Sequence, residues 1–114
     1  MNQTDTDIGP QLRDAITQFL VPLQTMQPVN VAAFERLHAL AVDLLHCYKD
    51  KEYVSKSLLH ELHTSIKIIT AETAHRAKER QVLEDMTAKL QMCFDLLLIG
   101  ETPEKRNPGI PRIV

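Results

Sequence analysis

Tryptophan is absent from this chain, glycine occurs three times and cysteine twice. Each scarcity removes a class of function. With only Gly9, Gly100 and Gly109 available, no glycine-rich loop can draw backbone N–H groups around a phosphate, which excludes the common nucleotide-cradling motifs. Cys47 and Cys93 share no short spacing, so neither a disulfide framework nor a cysteine-based zinc site is encoded. An excess of positive charge is lacking too. The formal net charge is −2, and a protein that neutralises many phosphates needs a basic surface, so nucleic acid is not an expected partner. No apolar run approaches the ~20 residues that cross a bilayer. Asp5 and Asp7 stand where a signal peptide would carry positive charge. The expectation is a cytoplasmic chain with reduced thiols and no membrane contact.

What is present is apolar residues at helical spacing. A chain of 114 residues is one domain by size. Its apolar share of 44% and charged share of 25% are ordinary globular values and argue against disorder. The expected fold class is all-α: a compact bundle of about four helices over residues 1–100, followed by an extended, proline-containing tail over 101–114.

Residues 1–8 are polar and read as frayed. Gly9-Pro10 reads as a helix start, because proline suits the first turn, where its missing N–H is not needed. Leu12, Ile16, Phe19, Leu20 and Leu23 make the first stripe. Pro22 bends or ends that helix, since it removes the bond to the Gln18 carbonyl. Asn30 is an N-cap for the second helix, with Val29 and Phe34 as a hydrophobic staple. The second stripe is Val31, Phe34, Leu37, Ala41, Leu44, Leu45 and Tyr48, closed by the polar turn Lys49-Asp50-Lys51-Glu52. A third helix carries Val54, Leu58, Leu59, Leu62, Ile66 and Ile69. A fourth carries Leu83, Met86, Leu90, Cys93, Phe94 and Leu97 and stops at Gly100, a left-handed cap. Thr70 to Gln81 holds no large apolar residue, glycine or proline, so this stretch is either a turn or the middle of one helix. Length favours the turn, because a helix of ~48 residues would span about 70 Å. The fourth helix presents Met86, Phe94, Leu97 and Leu98 as apolar surface in excess of what one bundle needs.

The histidines carry the sharpest chemical possibilities. Glu35-x-x-His38 and Glu72-x-x-His75 match the spacing of di-iron bundles, but the first helix offers no glutamate to complete such a site. His60 and His63 lie one turn apart, yet two ligands alone do not make a zinc site. The stretch His60-Glu61-Leu62-His63-Thr64-Ser65-Ile66 resembles the H-box of sensor histidine kinases, whose pattern runs His-Glu-Leu-Arg-Thr-Pro-Leu. His63 stands at the arginine position and Ser65 at the proline position. The resemblance implies a stand-alone phosphoacceptor helix pair in which His60 takes the phosphoryl group and Glu61 assists.

Two further groups are candidates for partner binding. Arg76 and Arg80 sit one turn apart within the cluster His75, Arg76, Lys78 and Arg80, interleaved with Glu72, Glu79 and Glu84. Ile110 and Ile113 lie in the apolar end of the tail. No serine–histidine–acid or cysteine–histidine arrangement is discernible. The leading expectation is therefore a non-enzymatic helical protein without cofactor. It would act by protein–protein interaction, with itself as a homodimer or with another protein. Phosphotransfer through His60 is the alternative, and a metal-binding bundle a weaker one.

Overall fold

The structure, a computed structural model, describes residues 3–103, with side chains from Ile8 onward. Helix α1 spans Gln3–Gln24, starting well before the expected Gly9-Pro10 boundary. Ile8 is buried and extends the inward stripe of Leu12, Ile16, Phe19, Leu20 and Leu23 by one turn. Pro10 and Pro22 both lie within the helix. An interior proline costs about 3 kcal/mol, and burial of the large stripe residues, at roughly 1.5–3 kcal/mol each, offsets it. After Pro22 the helix lasts two residues. The chain then reverses through Met26, whose φ of 64° is left-handed, while the Gln27 N–H donates to the Pro22 carbonyl at 2.9 Å.

Helix α2 spans Val31–Cys47, and the Asn30 side chain accepts from the Ala33 N–H at 3.0 Å, as an N-cap should. Phe34, Leu37, Ala41, Leu44, Leu45 and Tyr48 face inward. Val31, expected on that stripe, is instead 49% exposed because it sits at the outward side of the first turn. Helix α3 spans Lys56–Thr73 with Ser55 as its N-cap. Val54 precedes it and packs against the core.

The stretch between the third and fourth stripes is broken. Helix α3 ends at Thr73, a single 3-10 turn covers Ala77–Glu79, and α4 runs Arg80–Ile99. The last α3 carbonyls are taken by N–H groups three residues on: Ala74 to Ala71, His75 to Glu72 and Arg76 to Thr73. At the far end of α4, Gly100 adopts φ 68° and the Glu101 N–H donates to the Leu96 carbonyl at 3.0 Å, the expected left-handed cap.

Helix α1 packs mainly on α2 and α3, and α4 on α2 and α3, which leaves α1 and α4 on one diagonal and α2 and α3 on the other. Two helical hairpins, α1–α2 and α3–α4, thus lie side by side, joined by the diagonal linker 48–55. One core runs through all four helices, with Phe19 and Phe34 edge to face at 5.4 Å. Because α4 touches two helices, its wide stripe is consumed within the bundle. Met86 and Leu97 are buried, Phe94 packs against the core, and of the four apolar residues read as excess only Leu98 is exposed. Among the described residues no helix is long and apolar enough to cross a membrane.

Candidate functional site

Helices α1 and α2 are antiparallel neighbours, and their outer walls leave an open apolar groove of about 580 Å³. Thr17, Val21 and Pro22 supply the α1 wall, and Ala32, Ala33 and Arg36 the α2 wall. Small alanines at the start of α2 are what make the depression, since no longer side chain fills it. Val21, Val31 and, at the turn, Met26 are exposed at 51%, 49% and 69%. The far end of the groove is polar: Arg36 donates from one guanidinium nitrogen to Asp14 at 3.3 Å and to Gln18 at 3.2 Å.

The turn beside this groove is held from behind. Arg76 is 8% exposed. Its guanidinium donates to the Leu23 carbonyl at 2.9 Å, the Gln27 carbonyl at 2.6 Å and Glu79 Oε1 at 2.6 Å. The other Glu79 oxygen accepts from the Val29 N–H at 3.1 Å. That N–H, and then Arg76, hold the Glu79 carboxyl below the usual carboxylate range. A cation at the C-terminal end of α1 also meets the negative end of its dipole. The two hairpins are therefore latched at this end by one side-chain pair. Arg76, read from sequence as a surface contact for a partner, faces inward with its partners already in the fold. Arg80 is exposed at the start of α4. Ile110 and Ile113 lie outside the described residues.

His60 is exposed in the second turn of α3, with the Thr64 hydroxyl 3.5 Å from its Nε2. Glu61 turns towards α1, its carboxylate 3.5 Å from Arg13 Nε, and Arg13 also donates to Ser57 at 2.7 Å. His63 stacks on Phe94 at 5.6 Å and so points across to α4. His38 stacks on Phe34 at 5.9 Å; burial, with Lys89 nearby, lowers its pKa. Burial pushes the Cys93 thiol up to about 11, which makes it a poor nucleophile. Among the described residues no three of histidine, cysteine, aspartate and glutamate converge to hold a metal ion.

Comparison with protein-family models, curated proteins and solved structures finds no match to this chain. Two features of the site escaped the sequence pattern. The groove has no signal except small residues, Ala32 and Ala33, beside an N-cap. The buried Arg76 has no local sign, because the carbonyls that it bonds, those of Leu23 and Gln27, lie 53 and 49 residues away.

Proposed function

We propose that this chain is a small, non-enzymatic helical protein that acts in the cytoplasm by binding polypeptide, either another copy of itself or a different protein. The observation that carries the reading is the α1–α2 groove, an open apolar depression lined by Val21 and Pro22 on one side and by Ala32 and Ala33 on the other. Contiguous apolar surface of this kind, rimmed by polar groups, is characteristic of protein contact sites. The latch behind the turn supports the reading further, because a preorganised surface loses less entropy on binding.

A photo-reactive residue introduced at Val21 of the full chain tests it. Adducts are expected from position 21, and not from a control at Glu84 on the outward face of α4. They are expected to vanish when Ala33→Arg fills the groove. The same adducts from both positions, or none, would refute the reading.

One observation favours phosphoacceptance as a second reading: His60 is exposed in helix α3, open to a phosphoryl donor. Incubation with an acyl phosphate would break its oxygen–phosphorus bond, form a nitrogen–phosphorus bond on the imidazole, release the carboxylate and pass the ring N–H proton to water. The expected product is an acid-labile adduct lost in His60→Gln and retained in His63→Gln. An adduct that survives His60→Gln, or none at all, ends this second reading.

A further inference from the structure

Both walls of the α1–α2 groove end one residue from a bond made by the other hairpin. On the α1 side Pro22 lines the groove, and the carbonyl of the next residue, Leu23, accepts from Arg76 at 2.9 Å. On the α2 side Asn30 lines it, and the N–H of the preceding residue, Val29, donates to Glu79 at 3.1 Å. Between them Arg76 also holds the Gln27 carbonyl at 2.6 Å. Arg76 and Glu79 are themselves joined at 2.6 Å, so both ends of the turn are bonded to one ion pair. From Val29 the constraint passes into the wall. The Asn30 side chain accepts from the Ala33 N–H at 3.0 Å, and Ala33 lines the groove.

The turn itself has little with which to keep that shape. Residues 23–29 include no glycine, and Met26 sits at a left-handed φ of 64°, which is costly for a residue with a Cβ. Pro28 has no N–H to donate. At the other end of the groove Arg36 joins the walls through exposed bonds to Asp14 and Gln18, and such bonds contribute little. We infer that Arg76 and Glu79 are positioning residues for the groove: reaching from the α3–α4 hairpin, they hold its two walls at the spacing that binding requires. This rests on the binding function proposed above and concerns the regulation of that site. Neither residue lines the groove, and Arg76 is buried, so the latch acts without touching what binds. With the latch broken, the Leu23 and Gln27 carbonyls turn to water and carry Pro22 and Asn30 with them. The coupling is reciprocal: an occupant that requires the latched walls holds the two hairpins together.

Amide hydrogen exchange, and adduct formation from a photo-reactive residue at Val21, both in the full chain, test the inference. Arg76→Gln and Glu79→Ala are expected to speed exchange at Gln27 and Ala33 by about tenfold or more. Both substitutions leave the acceptors of those two amides, the Pro22 carbonyl and the Asn30 side chain, in place. Adduct yield is expected to fall by a similar factor. Gly100→Ala weakens the opposite end of the fold and is expected to change neither reading, which separates lost position from lost stability. Glu79→Ala removes the partly exposed member of the pair and decides the matter if Arg76→Gln does not fold. Exchange unchanged at Gln27 and Ala33, adducts undiminished, or adducts lost equally in Gly100→Ala would overturn the inference and leave the binding function standing. Equal acceleration at the Glu101 amide, bonded to Leu96 at the far end, would assign the latch to global stability and overturn it as well. A parent with no adduct from position 21 removes the binding function, and the inference with it.

Discussion

The two ends of the bundle are closed by different chemistry. Where the α1–α2 and α3–α4 turns meet, closure is by side chain: Arg76 and Glu79 reach from one hairpin to backbone groups of the other. Towards the opposite end the Asp50 N–H donates to the Gly100 carbonyl at 2.9 Å, and the side-chain contacts between hairpins, Arg13 with Ser57 and Glu61, are solvent-exposed rather than buried. Each end also contains a helix that stops in the same left-handed motif, α1 at Met26 and α4 at Gly100. Glycine adopts that conformation without a steric penalty, whereas methionine is held in it. The backbone-closed end uses glycine at its helix terminus, and its second left-handed residue, Asp50 at φ 60°, is of a type that visits this region more readily than methionine does. The side-chain-closed end tolerates an unsuited one because the latch fixes the turn around it.

The largest effect expected from testing this contrast is loss of the latch. Arg76→Ala removes charged hydrogen bonds to two carbonyls and a carboxylate, and a destabilisation of about 3 kcal/mol is expected. Denaturant titration reads it; a change under about half a kcal/mol would mean that the side-chain end is no more than surface.

Gly100→Ala comes next. A side chain at φ 68° is strained, and its Cβ would lie 3.2 Å from the Asp50 nitrogen. The expected loss is about 1–2 kcal/mol, measured in the same titration. Met26→Gly runs the other way. The side chain is mostly exposed, so little packing is lost, and relief of the left-handed strain is expected to stabilise by about 0.5–1 kcal/mol. Destabilisation instead would show that Met26 contributes contacts outweighing its strain.

The smallest effect is a pH dependence. The folded-state pKa of Glu79 lies below its ordinary value of 4.5. The latch therefore contributes stability fully above that value, and the contribution is lost as pH falls through the lower folded pKa. Glu79→Gln is expected to lower the melting temperature at neutral pH and to reduce its decline on acidification below about 4.5. Parallel acid limbs in parent and variant would assign the decline to other carboxylates.

Much of this architecture is legible along the chain. Stripes such as Leu37, Ala41, Leu44 and Leu45 report a buried helix face by spacing alone, and Asn30 and Gly100 mark helix ends through local chemistry. What is not legible depends on groups distant in sequence. Arg76 reads as a solvated charge because its acceptors, the carbonyls of Leu23 and Gln27, are free only where α1 ends in space beside it. Met86 and Leu97 read as surplus because the pattern on α4 does not reveal that two helices cover it. Of the candidate site, His60 is located correctly as a helical residue, but the turning of Glu61 towards Arg13 is a tertiary fact. The groove arises from side chains too small to announce themselves.

The position of the latch also orders events in time. Each hairpin forms from contacts near in sequence, which assemble quickly, whereas Arg76 bonds groups 53 and 49 residues away. Those bonds require both hairpins to be built and laid together, so they are expected to form late in folding. A perturbation there speeds unfolding and leaves the folding rate nearly unchanged. On that ordering, Arg76→Ala is expected to shorten the lifetime of the native state while leaving its rate of formation nearly unchanged, which stopped-flow folding and unfolding rates would read.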